Sequence, residues 1–348
     1  MKNREVYVKD PAQNRLLNNG VASVSDAVSA DERRTLRYEL ETFVCDGEYA
    51  RGLERILRTY LDNLYQSEQP GVWMSGFFGS GKSHLVKMLR ALWVDFTFPE
   101  DNATARGLVK LPAAHADLLR ELDNAQRREG GIHAASGTLG AGVGDNVRLT
   151  LLSIVFRSVG LSEQYPLARF ELWLREEGYY DAVRDAIEAE GKDWQSELRK
   201  LYTSPLIAKA LLDVYPDLAP SAMEVRKLLR EQFPNVPDVT NQQMVDAIRD
   251  SLTQNGKFPL TLIGLDEVQQ YIGENQARTY AIQEVTETCC KKFGGKLVFV
   301  GTGQTALSGT PNLQKLMGRF PVGIELSDTD VDAVIRQVIL AKKPGAMA

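Results

Sequence analysis

Residues 72–89 read VWMSGFFGSGKSHLVKML, and this stretch decides the fold. It opens with an apolar run, continues through a segment rich in glycine, and ends with apolar residues at helical spacing. The sequence therefore predicts a buried strand, a glycine-rich loop and a helix, in that order. The apolar residues of the predicted helix are Leu85, Val86, Met88 and Leu89.

The loop between this strand and this helix has the spacing G-x-x-x-x-G-K-S over residues 76–83. In loops of this type the backbone N–H groups close around phosphates, the lysine reaches the β- and γ-phosphates, and the serine hydroxyl binds Mg²⁺. The following helix adds the positive end of its dipole. The pattern predicts a nucleotide and Mg²⁺ site, with a flexible glycine-rich turn as the alternative. The predicted nucleotide contacts are Gly76, Phe78, Gly79, Ser80, Gly81, Lys82, Ser83 and His84, and Ser83 is also a predicted Mg²⁺ ligand.

The composition is that of an ordinary globular protein with room for two or three domains. Of its 348 residues, 43% are hydrophobic and 25% are charged. No apolar run approaches the 18 or so residues that a membrane helix needs. The N-terminus MKNREVYVKD is too polar for a signal peptide. We therefore expect a cytoplasmic protein that makes no membrane contact.

The charge balance and the cysteine usage each limit the function classes. A net charge of −5 argues against a protein that coats nucleic acid with its whole surface, and it leaves a local basic patch open. The three cysteines, Cys45, Cys289 and Cys290, have no C-x-x-C spacing, and only three histidines are present. We therefore expect buried free cysteines and no Cys/His zinc site.

A second apolar run, FPLTLIGLDE over residues 258–267, ends in two carboxylates. Continuous apolar character is typical of a strand buried on both faces of a parallel sheet, and functional groups belong at the carboxyl end of such a strand. Asp266 is placed there to hold Mg²⁺, and Glu267 to polarise an attacking water. The alternative is an acidic helix N-terminus favoured by the helix dipole. The upstream glycine-rich loop favours catalysis, because both elements would serve the same metal and phosphate.

A third apolar run, KLVFVGTGQ over residues 296–304, also ends in polar residues. Thr302 or Gln304 is placed to hydrogen-bond the attacking water or the terminal phosphate, and a plain turn at the strand end is the alternative for each. A short helix over residues 313–317, Arg319 and a short strand over 322–326 follow.

These elements predict four segments. Residues 1–40 form an N-terminal arm, and residues 41–162 form the first part of the core with the glycine-rich loop. Residues 163–255 form a helical insertion, and residues 256–348 form the second part of the core with the start of a truncated lid. Aromatic residues in the insertion would suit nucleic-acid stacking, but acidic residues are equally frequent there, so we favour packing between helices.

The order of glycine-rich loop, Asp-Glu strand, polar-ended strand and arginine resembles the AAA+ ATPases over roughly residues 40–100 and 255–340. The resemblance implies an α/β P-loop NTPase fold, a parallel sheet flanked by helices. The matching positions are Lys82 and Ser83 for Walker A, Asp266 and Glu267 for Walker B, and Thr302 or Gln304 for sensor 1. The large insertion and the missing lid depart from the family pattern, and sensor 2, which normally lies in the lid, is not assigned.

The same resemblance gives Arg319 a role as an arginine finger. Such a finger reaches the γ-phosphate held by the neighbouring subunit and stabilises charge in the transition state. This role implies a homo-oligomer. The alternative is an ordinary surface arginine.

Three longer stretches are similar to one family, the P-loop ATPases of BREX phage-resistance systems, known as BrxC or PglY. These stretches are FVCDGEYARGLERIL (43–57), VWMSGFFGSGKSHLVKML (72–89) and LIGLDEVQQYIG (262–273). The resemblance implies ATP and Mg²⁺ as cofactors. It also implies a bacterial defence complex with a DNA methyltransferase, an alkaline-phosphatase-like protein and a small accessory protein, through which DNA is reached. Members of this family are much longer, so we expect this chain to be their N-terminal ATPase portion.

Three hypotheses for the function follow. The first is an ATP-hydrolysing component that drives assembly or remodelling of the defence complex. The second is a nucleotide-gated scaffold with slow or no hydrolysis. The third is a DNA-binding AAA+ protein of the origin-recognition type. The Asp266-Glu267 pair favours the enzyme, whereas the acidic balance and the helical segment favour protein partners over bare DNA.

Overall fold

The computed structural model describes residues 6–8, 29–139, 146–327, 336, 338 and 340–343. Within them the chain forms a five-stranded, all-parallel sheet flanked by helices, which confirms the α/β class. The strands are β1 Val72–Gly76, β2 Ile132–Thr138, β3 Leu260–Asp266, β4 Leu297–Gly303 and β5 Val322–Leu326. β1, β3, β4 and β5 lie where the sequence predicts strands, and β2 overlaps residues 130–137, a candidate short strand that precedes a glycine-rich segment.

The strand order is β2-β3-β4-β1-β5, so β4 separates the strand before the glycine-rich loop from the strand that ends in Asp266. Every residue of β1, β3 and β4 is buried, as expected for the centre of a parallel sheet covered on both faces. Because all five strands are parallel, their carboxyl ends lie at one edge. We call this the carboxyl edge and its opposite the amino edge.

Two compact units divide the chain. The first comprises residues 1–142 and 253–348 and contains the sheet. Its helices are α1 Ala30–Glu41, α2 Gly47–Asp62, α3 Lys82–Trp93, α4 Ala105–Leu108, α5 Ala113–Gln126, α13 Val268–Ile272, α14 Gln276–Lys292 and α15 Pro311–Gln314, with a 3₁₀ turn at Leu307–Gly309. Within this unit α1, α2, α3 and α5 bury their apolar residues against one face of the sheet.

The second unit, residues 143–252, has its own apolar core. Its helices are α6 Val147–Ser158, α7 Tyr165–Glu176, α8 Tyr180–Ala189, α9 Trp194–Leu198, α10 Pro205–Val214, α11 Ala222–Gln232 and α12 Asn241–Leu252, with a 3₁₀ turn at Pro216–Leu218. Phe170, Trp194 and Phe233 are buried in that core, in line with packing between helices. The unit begins at residue 143, whereas the sequence placed the start of the helical segment at 163.

Glu171 is a buried carboxylate within the second unit. Its oxygens accept hydrogen bonds from the Ser162 backbone N–H at 2.8 Å and the Trp194 indole N–H at 3.1 Å. Burial raises the pKa of Glu171, while these donors act in the opposite direction. The contacts tie α7 to α9 and account for this charged residue without a ligand.

Two details of the helices differ from the pattern. The spacing of the leucines in residues 107–127 predicts helix throughout, but the structure has two helices, α4 and α5, because Pro112 fixes an extended backbone immediately before α5. The predicted arm and the predicted start of the lid lie largely outside the described residues, apart from 6–8, 29–40 and a few positions after 327.

Among the described helices, none combines the length and the apolar character required to cross a membrane. Cys289 and Cys290 are buried and Cys45 is half-buried, and all three are free thiols.

Packing of α3 on the sheet depends on Gly264 in β3. A Cβ atom at Gly264 would lie 2.7 Å from Cγ1 of Val86 and 3.2 Å from Cβ of Ser136. The first distance is shorter than van der Waals contact, so the helix can approach this closely only over glycine.

We predict that Gly264→Ala destabilises the protein by about 1–3 kcal/mol through overpacking. Val86→Ala alone loses buried apolar area, but in the double variant it removes the methyl group that the new Cβ meets. The double variant should therefore be less destabilised than the sum of the single variants, by about 0.5–3 kcal/mol. Urea unfolding followed by circular dichroism measures all four free energies of unfolding. Simple additivity would contradict the packing described here.

Candidate functional site

The glycine-rich loop leaves the sheet at the end of β1 and re-enters regular structure at the first residue of α3. Gly79 and Gly81 adopt left-handed backbone conformations, with φ of 89° and 85°. A Cβ at Gly76 would lie 2.5 Å from Oγ of Ser80 and 2.6 Å from the Leu326 carbonyl oxygen. The glycine spacing is thus required by the path of the loop.

The start of α3 faces the loop without a capping side chain. Gly81 is its N-cap residue, and the first turn contains no acidic residue. The backbone N–H groups of a helix start need acceptors and carry the positive end of the dipole. This helix start can therefore accept an anion such as a phosphate.

Lys82 folds back over the loop. Its Nζ donates hydrogen bonds to the Gly76 carbonyl at 2.7 Å and the Phe77 carbonyl at 2.8 Å. Burial lowers the pKa of Lys82, and the charge of Asp266 opposes that shift. The ammonium group is thus held beside the loop and within electrostatic reach of the acidic strand end.

Asp266 lies at the carboxyl end of β3 and is only 6% exposed. Its Oδ1 accepts hydrogen bonds from the Thr302 hydroxyl at 2.5 Å and from the Glu267 backbone N–H at 3.1 Å. Thr302 Oγ1 also accepts from that N–H at 3.0 Å. Within the described residues, Asp266 Oδ2 accepts no hydrogen bond. Its carboxylate oxygen and the Ser83 hydroxyl are hard oxygen ligands, a donor type that suits Mg²⁺.

Glu267 occupies an unusual backbone conformation for a residue with a side chain. Its φ is 56°, in the left-handed region, and its side chain is exposed beside the buried Asp266. Such a conformation typically costs about 1–3 kcal/mol and persists where the surroundings impose it. It turns the chain sharply from β3 into α13 and separates the two carboxylates, one inward and one towards solvent.

Thr302 and Gln304 therefore differ in surroundings although both lie at the end of β4. Thr302 is buried against Asp266, whereas Gln304 is exposed just beyond the strand. Thr302 of β4 thus contacts the acidic end of the neighbouring strand β3. Gln304 stays a predicted contact for a ligand at the same edge.

Phe78 and Ser83 belong to the loop, and His84 follows it in α3. Phe78 is 80% exposed at the loop tip, and Ser83 is half-buried in the first turn of α3. The His84 ring packs 5.7 Å from the Phe43 ring, and burial lowers the pKa of His84. His84 therefore contacts the α1–α2 side of the helix, and its contact with a nucleotide stays a prediction.

Arg319 lies at the amino edge, away from the other candidate residues. Its carbonyl accepts from the Gly71 N–H at 3.0 Å, immediately before β1. Its guanidinium pairs with Glu68 at 3.3 Å and Glu287 at 2.7 Å. The structure does not bring Arg319 to the site of its own chain. A role in a neighbouring subunit stays a prediction.

Two residues at the start of α2 belong to the site, and periodicity alone predicted neither. The Tyr49 hydroxyl donates to the Ser80 carbonyl at 2.9 Å, and a Cβ at Gly81 would overlap this hydroxyl. The Glu48 carboxylate accepts from the Ser327 hydroxyl at 2.9 Å, just after β5. Tyr49 has the spacing of a core residue, and its contact with the loop depends on how α2 packs beside β1.

No known protein-family model matches the sequence. Among the described residues, no group of three or more His, Cys, Asp or Glu side chains is arranged to hold a metal ion. The site consists of a glycine-rich loop with a lysine, the Asp266 carboxylate ordered by the Thr302 hydroxyl, and the exposed carboxylate of Glu267.

We predict that Tyr49→Phe loosens the loop. The variant removes one hydrogen bond to a backbone carbonyl, worth about 0.5–1.5 kcal/mol, and should speed amide hydrogen exchange over residues 77–82. Mass spectrometry measures this exchange peptide by peptide.

Tyr60→Phe is the matched control for this variant. Tyr60 also lies in α2, is buried, and donates its hydroxyl proton to a backbone carbonyl, that of Lys296 at 3.0 Å. It should cost similar stability without affecting exchange at residues 77–82. Equal exchange rates in both variants would show that Tyr49 does not hold the loop.

Proposed function

We propose that this chain is the nucleotide-binding portion of an ATP-hydrolysing protein of the AAA+ type. One observation carries the proposal. The loop of residues 76–83 and the Asp266–Thr302 pair lie at the same edge of one parallel sheet, at the ends of three neighbouring strands. A phosphate-binding element and a metal-binding carboxylate need this proximity, because a nucleotide phosphate and its Mg²⁺ bind together.

The residues divide the chemistry between them. Lys82 and the backbone N–H groups at the start of α3 would hold the phosphates of ATP. Ser83 and Asp266 would supply oxygen ligands to Mg²⁺. Glu267 is exposed beside them and would orient and deprotonate the attacking water. Thr302 fixes the Asp266 carboxylate through its hydroxyl.

ATP binding also requires Lys82 to change partners. In the structure its ammonium group donates hydrogen bonds to the carbonyls of Gly76 and Phe77. A phosphate is the stronger acceptor, because its oxygens carry negative charge that attracts the ammonium group, whereas a carbonyl oxygen is neutral. We infer that the lysine moves from the loop carbonyls to the phosphates when nucleotide binds.

We further propose that the protein acts in a BREX phage-resistance system. The support is the similarity of three stretches to the BrxC or PglY family. Each stretch contributes to the same edge of the sheet, the first through Tyr49, the second through Lys82 and the third through Asp266. The proposed partners are a DNA methyltransferase, an alkaline-phosphatase-like protein, a small accessory protein and further copies of this chain, with DNA reached through the complex.

A nucleotide-gated scaffold is the second candidate, and the position of Arg319 favours it for an isolated chain. This arginine pairs with Glu68 and Glu287 at the amino edge, so Arg319 does not reach the proposed site of its own subunit. An isolated chain would then bind ATP and hydrolyse it slowly. Assembly would decide between the two functions.

We predict that Lys82→Ala and Glu267→Gln affect different quantities. Lys82→Ala should weaken ATP binding by about 10- to 100-fold, because it removes the charged contact with the phosphates. Glu267→Gln should keep ATP affinity and lower kcat by about 10²-fold or more, because it removes the general base. Titration calorimetry and phosphate release measure the two quantities.

Glu274→Gln is the control for the loss of a carboxylate, since Glu274 is exposed just after α13. It should behave as the wild type in both assays. Hydrolysis by Glu267→Gln at the wild-type rate would remove Glu267 from the mechanism. Unchanged ATP affinity in Lys82→Ala would refute the nucleotide site itself.

We predict that Arg319 acts between subunits. The specific ATPase activity of the wild type should rise with protein concentration, and Arg319→Ala should lose that rise while still binding ATP. A finger is worth about 10³ to 10⁵ in rate in well-studied NTPases.

A mixing experiment separates this role from a loss of folding. Lys82→Ala lacks a working site but has Arg319, and Arg319→Ala has the site but lacks the finger. The two inactive variants should regain activity when mixed. A mixture that stays inactive, although each variant folds and associates with wild type, would show that Arg319 does not serve a neighbouring subunit.

A further inference from the structure

The backbone just after β4 is held by Gln269, a side chain of the helix that follows β3. Gln269 lies in α13, two residues after Glu267. Its Oε1 accepts hydrogen bonds from the Gln304 backbone N–H at 2.6 Å and the Thr305 backbone N–H at 2.9 Å. The Thr305 hydroxyl lies 3.4 Å from the same oxygen.

The same segment is held from its other side by β1. The Trp73 indole N–H donates to the Thr305 carbonyl at 3.0 Å, and Trp73 is fully buried. Between the two holding residues, Gly303 has no room for a side chain. An added Cβ would overlap the Trp73 ring and lie 2.9 Å from Gln269 Oε1. Residues 303–305 are therefore confined by contacts from two neighbouring elements.

Two bridges consequently join the ends of β3 and β4. One is the hydrogen bond from the Thr302 hydroxyl to the Asp266 carboxylate, at the carboxyl ends of the two strands. The other is Gln269, which reaches past the strand end to the backbone that carries Gln304. With both bridges in place, Glu267 and Gln304 are carried by elements fixed to each other. Without the second, this segment keeps the Trp73 bond to the Thr305 carbonyl but loses the acceptor of the Gln304 and Thr305 N–H groups, so the backbone at Gln304 can shift.

We propose that Gln269 is a positioning residue for ATP hydrolysis. It holds the backbone of Gln304 and Thr305 against the helix that begins beside Glu267, so that Gln304 meets the terminal phosphate or the attacking water at a fixed place. The inference rests on the proposed function. It assigns the role to an uncharged side chain, whose amide oxygen accepts two N–H groups without adding a charge near the phosphates.

The test compares Gln269→Ala, Gln269→Glu and Gln270→Ala with the wild type. Gln269→Ala removes the acceptor, whereas Gln269→Glu keeps an oxygen in its place. Gln270 is the neighbouring residue of the same type, and it is exposed on α13. Gln270→Ala therefore controls for loss of a glutamine from this helix.

The first measurement needs no nucleotide. Amide hydrogen exchange at Gln304 and Thr305 should be about five- to tenfold faster in Gln269→Ala, since each loses a hydrogen bond. Gln269→Glu should restore slow exchange, and Gln270→Ala should leave it unchanged. Slow exchange in Gln269→Ala would show that Gln269 does not hold this segment, and would overturn the proposal.

The second measurement is steady-state ATP hydrolysis together with ATP affinity. Gln269→Ala should lower kcat by about 10- to 100-fold, the size expected from a displaced group, with ATP affinity within about twofold of the wild type. Gln269→Glu should recover part of kcat. A wild-type kcat in Gln269→Ala, or an equal loss of affinity and kcat, would leave Gln269 with a merely structural role.

Failure of the proposed function has a different signature. In that case wild type shows no turnover at any protein concentration, and ATP affinity is unchanged by Lys82→Ala. A role in hydrolysis is then ruled out for Gln269 as well, even if the exchange measurement still shows its hydrogen bonds.

Discussion

The parallel pairing of β4 with both β1 and β3 is the constraint on which the site depends. Ser75 lies opposite Gly303 on one side of β4, and Leu265 lies opposite Gly301 on the other. This register places Thr302 beside Asp266. A shift of one residue would turn Thr302 to the other face of the sheet and remove the hydroxyl that orders the carboxylate. Because the strands are buried at every position, the apolar core holds the register, and the polar ends follow from it.

Polar groups at this edge are satisfied in two different ways. Asp266, Thr302 and the Glu267 N–H bond one another, so the acidic end is ordered without a ligand. Lys82 is instead satisfied by carbonyls of its own loop, which it can exchange for a better acceptor. The carboxylate is thus fixed in advance, while the lysine is available to respond. Fixed groups of this kind need no reorganisation during a reaction, and that is the main source of electrostatic catalysis.

The sequence predicted the strands and the edge because both depend on local patterns. Apolar runs identify buried strands, and parallel topology gathers their polar ends. Contacts between elements were harder, since they depend on strand order. Tyr49 has the spacing of a core residue, and Gln269 follows the acidic pair without a distinguishing motif. The division of residues 107–127 into two helices could have been predicted, because Pro112 lies between them. The start of the second unit could not, because α6 is apolar at most positions and would suit the core of either unit.

The ion pairs of Arg319 bear on whether it can serve another subunit. A buried arginine with two carboxylates would be fixed, since breaking a buried pair leaves an uncompensated charge. Here the side chains of Arg319, Glu68 and Glu287 are 24%, 38% and 32% exposed. Partly exposed pairs of this kind contribute little, on the order of 0–1 kcal/mol, and water can replace the arginine. A phosphate offered by a second chain would be a stronger partner than either carboxylate, because it carries more charge. The pairs therefore hold Arg319 only weakly in the single chain, and they would not prevent the proposed contact with a phosphate of a neighbouring subunit.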